Sequence, residues 1–469
     1  MTQGGESALR AESAHPAIED YHAYLTANSQ LAADSHDRLQ KLSVGRFLTF
    51  GGVPFSRYLR PHFVTPGQYA FITDVVETLA RAMVILRRAI LADENLFRQL
   101  DLTPEERRLA LIDPGFEEPS PSARLDSFWS ERDWRFVEMN AESPAAIAYG
   151  DSLADVFLEL PALSGWCRER GYRVTPLYAT PRFMRKVDDV WREFQSHRGG
   201  DPRDKPNVAI IDWDGVPTSS EFELFKRHFE SREMNTIIAD PRALEFRGGK
   251  LYAGDFRIDI YYKRVLTSEL LEKPEAAQAT IKAYEAGAIC MINTFRAKLL
   301  HKKMSLALLH DEANHYLFGT HEIETIKRHI PWTRKVAEGK TLHEDKEVDL
   351  IPFIAENRER LVLKPNDEYG GKGVVIGWVT DDAEWQKSLA EALESSYVVQ
   401  GAVQLDQEPY PLFDSSTGLV FHDLTADLDP FVFGTDMQGI LTRLSSAALL
   451  NVTAGTGSVV PTMIVQKTQ

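Results

Sequence analysis

The stretch RLDSFWSERDWRFVEMNAESP, Arg124 to Pro144, spaces cation- and phosphate-handling side chains as a β-strand would. Residues two apart on a strand share a face. Arg124 and Asp126 therefore point the same way, as do Glu138 and Asn140. A hairpin centred near Arg132 sets Asp126 opposite Glu138 and Arg124 opposite Asn140. Carboxylates directly opposite each other repel, and a divalent cation would make the pair tolerable. Asp, Glu and an Asn carbonyl are hard oxygen ligands suited to Mg²⁺, and an arginine beside the cation would face a phosphate. The plainer reading of the same residues is a solvated hairpin with incidental charges.

A second group lies in LVLKPNDEYGGKG. Lys364 ends an apolar strand, and Gly370, Gly371 and Gly373 follow it. Glycines let backbone amides approach a phosphate and let a loop close as a lid; a tight hairpin turn explains them equally. The pattern is not a P-loop, since GxxxxGK[ST] is absent. Gln400 ends the next apolar strand, YVVQ, and reads equally as a hinge where the backbone meets an adenine or as an edge-strand glutamine. Upstream, LLHKKMSLALL predicts Lys302 and Lys303 inside an amphipathic helix, where one of them would clamp phosphates. Further on, GILTRL puts Arg443 on a strand, a residue suited to bidentate grip on a carboxylate. A small-residue loop, 453–458, follows it and lacks the third glycine of a dinucleotide fingerprint. A zinc-hydrolase reading of His310, Glu312 and His315 fails on spacing, because H-E-x-x-H sets its histidines four apart. No GxSxG nucleophile motif occurs.

Several elements must position these groups. Apolar residues at steps of three and four predict a helix over 65–101, and Thr103 with Pro104 starts another. Residues 153–170 read as helical. Residues 195–206, with Gly199, Gly200 and two prolines, read as a linker. NVAIIDW, a helix over 220–231 and MNTIIAD form a β-α-β unit with a parallel pair. RIDIYYKR reads as a further strand, and Leu361 onward as a hairpin, a helix over 381–396 and more strands.

The chain has 469 residues and a formal net charge of −16. A protein this acidic does not hold nucleic acid or an anionic membrane by general attraction. No apolar run of membrane-spanning length and no leader-type apolar segment is present, so a cytoplasmic enzyme is expected. Cys167 and Cys290 form neither a CxxC pair nor a metal spacing and are expected as buried, reduced thiols.

Taken in order, the Arg124–Asp126 pair, VEMNAESP, LHKK, LKP with its glycine loop, VVQ and LTR resemble the circularly permuted ATP-grasp enzymes of the glutathione synthetase and glutathionylspermidine synthetase group. The metal motif precedes the nucleotide lysines, as in the permuted group. The glycine loop, NDEYGGKG, departs from the family wording, and no amidase domain is present. The resemblance implies an α+β fold with a helical N-terminal region over 1–120. It implies a metal-binding part of the core over 121–200, a β-α-β pre-ATP-grasp lobe over 201–295 and a nucleotide lobe over 296–469. It implies Mg²⁺ on Asp126, Glu138 and Asn140, and Arg124 at the transferring phosphoryl group. Lys303 or Lys302 would bind ATP phosphates with Lys364, under a lid at Gly370–Gly373. Gln400 would lie at adenine, and Arg443 and Ser143 at the acceptor substrate. The implied activity is ATP-dependent joining of a small-molecule carboxylate and an amine through an acyl phosphate. A kinase-like phosphoryl transferase or a non-catalytic ATP-binding protein is the alternative. Neither nucleic acid nor membrane is expected as a partner, and the sequence leaves a homodimer open.

Overall fold

The computed structural model describes residues 13–118, 120–130, 133–446 and 457–468. The N-terminal part opens with helices α1 (His15–Ala27) and α2 (Ser29–Gly45). A two-stranded ribbon, β1 (Thr49–Phe50) with β2 (Val53–Pro54), and strand β3 (His62–Val64) follow, so this part is not purely helical. Helix α3 (Pro66–Ala92) is the long amphipathic one. It starts at a capping box in which Thr65 and Gln68 exchange hydrogen bonds. It ends at Asp93, which caps the short α4 (Glu94–Gln99). Thr103 and Glu106 form a second capping box at the head of α5 (Pro104–Ala110).

Strands β4 (Ala123–Trp129) and β5 (Trp134–Asn140) form the expected hairpin. Helices α6 (Ile147–Leu158) and α7 (Pro161–Arg170) replace one expected helix. Pro161 lacks an N–H and holds Leu160 extended, which breaks the run there. Strand β6 (Tyr172–Pro176) and helix α8 (Thr180–His197) lead into the α/β lobe.

That lobe is built on β7 (Val208–Ile211), α9 (Ser219–Glu230) and β8 (Thr236–Ala239). A small antiparallel sheet follows: β9 (Leu244–Arg247), β10 (Lys250–Ala253) and β11 (Phe256–Ile258). The chain re-enters the main layer as β12 (Ile260–Lys263), then α10 (Thr267–Leu271), α11 (Pro274–Glu285) and β13 (Cys290–Ile292). The expected single strand RIDIYYKR is thus divided between two sheets. Asp259 makes the division: its carboxylate accepts from Asn207 N–H, and its own N–H donates to Asn207 O. Strands β13-β12-β7-β8 pair parallel in that order.

Helices α12 (Lys298–His301), α13 (Met304–His310) and α14 (Thr320–His329) connect to the second half. There β14 (Thr333–Lys335), the ribbon β15 (Lys340–His343) with β16 (Lys346–Asp349), and α15 (Leu350–Glu356) precede β17 (Leu361–Pro365). Strand β18 (Val375–Ile376), α16 (Asp382–Glu394) and β19 (Tyr397–Gly401) complete an antiparallel sheet of order β14-β19-β17-β18. Leu350, Ile354, Leu361, Leu363 and Trp385 give it its own apolar core. The chain ends in β20 (Gln407–Asp414), β21 (Gly418–Phe433), β22 (Asp436–Ser445) and β23 (Ser458–Lys467). These join β3, β4, β5 and β6 in one eight-stranded sheet, in which β4 pairs with β21. The hairpin is thereby laid on the C-terminal strands, some 300 residues away in sequence. No helix among the described residues is long and apolar enough to cross a membrane. Cys290 is buried, but Cys167 is half-buried, contrary to expectation.

Candidate functional site

The carboxylate hairpin has the register that its spacing demands. Arg124 lies opposite Asn140 and Asp126 opposite Glu138, and an irregularity then shifts the pairing at Ser127. The expected hairpin centre at Glu131–Arg132 and most of the expected loop 453–458 lie outside the described residues. Asp126 takes a two-pronged bond from Arg124 (Nε–Oδ1 2.7 Å, Nη2–Oδ2 2.9 Å) and a third from Asn140 Nδ2 at 2.9 Å. Arg443, arriving on β22, adds Nη2 at 2.9 Å. Burial would raise the Asp126 carboxyl, but Arg124 and Arg443 hold it well below the usual carboxylate range. In this structure two guanidiniums and an amide offset Asp126, and a lysine offsets Glu138.

The same two arginines face further carboxylates that spacing could not show. Asp427 and Asp429 on β21 stand 2.6 and 2.9 Å from Arg443 Nη2. Burial pushes Asp427 up to about 6 and Asp429 well above the normal value. Three carboxylates share two guanidiniums here, so one carboxyl retains its proton more readily than in water. Arg443 thus grips the protein's own acids, where an acceptor substrate had been expected.

Above the hairpin lies a cavity of about 640 Å³. Its lining brings together Arg124, Asp126, Glu138, Asn140, Ser143 and Arg443 with Lys303, Lys364, Gly370, Gly371 and Gln400. Lys303 Nζ donates to Glu138 Oε1 at 3.0 Å and to Glu368 O at 2.6 Å. Lys364 Nζ donates to Gln400 Oε1 at 2.6 Å, and Gln400 Nε2 is in turn held by Thr333. Burial lowers the Lys364 ammonium to about 8, with Glu138 pulling it back up.

Lys302 and Lys303 are not inside a helix. The Asn366 carbonyl takes the Lys303 N–H, and the Asn366 side-chain oxygen takes that of Met304. Both N–H groups are thereby drawn away from helical partners, and α12 stops where α13 starts. The break turns the two lysines apart. Lys302 is absent from the cavity lining and pairs with Glu106 at 3.1 Å and Asp367 at 2.8 Å. Gly373 also differs from expectation, because it does not line the cavity. A Cβ there would come within 2.7 Å of Pro365, and its positive φ of 71° closes the turn. Ser143 lines the cavity, but its hydroxyl donates to Arg264 O at 2.9 Å.

Sequence reasoning missed Glu142, next to the motif. It is fully buried and accepts from Lys263 Nζ at 2.8 Å and from the Thr267 hydroxyl and N–H. Lys298 Nζ stands 3.0 Å from its other oxygen. This centre ties the hairpin's end to the α/β lobe and to α12. His301, Asp212 and Glu269, all in the cavity lining, were missed too. Asp212 was legible as the residue ending an apolar strand, and the other two carried no local signal. His310 and Glu312 are bound by Arg334, as befits a structural contact.

No family model matches the chain. A protein named "Putative glutamate--cysteine ligase 2-3" from Frankia alni is 24% identical over 182 residues. That match covers 37% of this chain, which spans only 19% of the relative's length. Among solved structures, the glutathione-synthetase-like effector of Globodera pallida, in its apo form, is similar in fold with a TM-score of 0.56. The likeness covers 93% of each chain at 13% identity. The mixed α+β architecture is therefore shared with a glutathione-synthetase-like protein.

Proposed function

We propose that this chain is an ATP- and Mg²⁺-dependent carboxylate–amine ligase of the circularly permuted ATP-grasp type. One observation carries the reading. A single cavity collects two lysines, a glycine turn and Gln400 from residues 303–400, and it sets them against a carboxylate hairpin from residues 123–140. The names of the two similar proteins, a ligase and a synthetase-like effector, point the same way.

The residues fit Mg²⁺ by donor chemistry. Among the described residues no three His, Cys, Asp or Glu side chains form a metal-holding group. Mg²⁺ needs fewer: one or two carboxylates suffice when phosphates and waters complete the shell. Asp126 and Glu138 face each other, and Asn140 directs its Nδ2 to Asp126, so its amide oxygen is left for the ion. These three would hold it, and the ion would supply positive charge to offset the negative charge developing on the phosphates.

The other residues divide the work. Lys303 and Lys364 would neutralise the phosphates, exchanging Glu138 and Gln400 for them. The amides of Gly370 and Gly371 would close over them. Val362 and Ile376, with the backbone at Gln400 and Gly401, would hold the base. Arg124 would stabilise charge on the transferring group. A carboxylate phosphorylated there would be attacked by the amine, with phosphate leaving, and the lid would keep water out. Purified protein, Mg²⁺ and ATP should release ADP and phosphate only when a carboxylate and an amine are both supplied. ADP formed with the carboxylate alone, as a stable phosphorylated product, would mark a kinase-like transferase. Nucleotide binding without turnover across amino acids, peptides and polyamines would mark a non-catalytic protein.

A further inference from the structure

The lysines, the glycine turn and Gln400 make up only part of the cavity wall, and residues of the α/β lobe make up another part. From β7 the chain steps to β8 on one side, while from β12 it steps to β13 on the other. Ligands of open parallel sheets bind outside the carboxyl ends of strands at such a reversal. The residues that follow β7 and β12 are Asp212 and Arg264, and both line the cavity.

Besides Arg264, this lobe contributes two acids to the wall, Asp212 and Glu269. Arg264 is committed to Glu221, to Pro144 O and to the Tyr262 hydroxyl. Asp212 and Glu269 have no cation within ion-pair distance among the described residues. Asp212 accepts only the Trp213 N–H, and Glu269 takes the Tyr369 hydroxyl at 2.9 Å and the Leu266 N–H. Burial pushes the Asp212 carboxyl up to about 6, and Glu269 adds to the rise.

His301 is a second feature of this wall. It lines the same cavity, is only 7% exposed, and its Nδ1 has no hydrogen-bond partner among the described residues. Burial lowers its pKa. Beside these acceptors stands an apolar wall of Phe50, Phe55, Tyr149 and Val216. Phe55 packs edge-on to Tyr149 at 5.1 Å, and the Tyr149 hydroxyl is anchored to Thr49 O.

We propose that this α/β-lobe wall is the amine subsite, taking a primary ammonium on an apolar or aromatic body. Asp212 and Glu269 hold the ammonium, and Phe50, Phe55 and Tyr149 receive the body. This identity of the acceptor rests on the ligase reading; binding of the amine itself does not. An apolar amine brings a cation to Asp212 and Glu269, which are half-buried and have no ion-pair partner among the described residues. Amines with acidic side chains meet like charge, and polyamines bring a second charge to an apolar wall.

The test is binding of phenethylamine to the nucleotide-free full chain, measured by calorimetry and ligand-observed NMR. Spermidine and glutamate serve as comparators, and Asp212→Asn and Glu269→Gln as variants. Phenethylamine should bind at least tenfold more tightly than either comparator. Each variant should weaken it at least tenfold while the affinity for an ATP analogue stays within twofold. Phe55→Ala should weaken phenethylamine and leave spermidine unchanged. Equal phenethylamine affinity in Asp212→Asn and wild type, or no binding to wild type, overturns the subsite whatever the nucleotide does. Amine binding that depends on Asp212 in a protein that binds no ATP analogue overturns the ligase reading and keeps the subsite.

Discussion

Lys302 and Lys303 are neighbours in sequence but do separate jobs, and substitution should part them. Lys303 holds Glu138 at the cavity, whereas Lys302 holds Glu106 and Asp367 beneath it. Lys303→Met should weaken ATP-analogue binding at least tenfold by calorimetry while the melting temperature stays close to wild type. Lys302→Met removes one partner from a buried ion cluster and should cost about 3 kcal/mol of stability. If the two variants behave alike, the division is wrong. Glu138→Gln and Lys364→Ala should each abolish ATP turnover with the circular dichroism spectrum unchanged. Wild-type-like turnover in either would remove that residue from the site. The carboxylate pair was legible because strand alternation and hairpin symmetry are local rules. Asp427, Asp429 and Glu142 were not, because their partners come from distant segments.

At the scale of elements, helix starts were the most readable features. Thr65 and Thr103 carry their capping partners three residues on, so the signal is complete within one turn. The break between α12 and α13 had no such signal, since a residue more than 60 positions away makes it. Asn366 accepts from Met304 N–H, donates to Leu100 O at 2.9 Å and donates to Ser396 Oγ at 3.0 Å. Asn366→Ala leaves buried groups unpaired and should cost about 2–3 kcal/mol. It should also weaken nucleotide binding, since the break aims Lys303. Chemical denaturation and calorimetry on the same variant check both. Lost stability with unchanged affinity would show that Lys303 does not need the break.

For the whole molecule, stability should carry a pH signature from buried acids. Asp151 on α6 accepts the N–H groups of Ala179 and Thr180 and so caps α8 from outside. Burial nevertheless pushes its carboxyl up to about 6. A folded pKa above the unfolded value means that the folded state binds the proton more tightly. The stability this gives is complete below about pH 4 and is lost as pH rises through 6, by about 2–3 kcal/mol. Asp151→Asn cannot titrate, so the advantage of wild type over the variant should shrink between pH 4.5 and pH 7. Denaturant midpoints across that range measure it. An advantage that stays constant or grows with pH contradicts the assignment.

The sequence by itself determined the acidic balance, the capped helices, the β-α-β unit and the facing of Asp126 and Glu138. Each rests on periodicity, on capping or on the two-residue repeat of a strand, all properties of neighbouring residues. It could not determine what neutralises those carboxylates, which lysine enters the cavity, or which acids of the α/β lobe line it. Tertiary structure decided these. Laying β4 on β21 brings Arg443, Asp427 and Asp429 to the hairpin. The carboxyl edge of a parallel sheet opens onto the same cavity. The energies involved, desolvation and ion pairing among groups hundreds of residues apart, exist only once the sheets have formed.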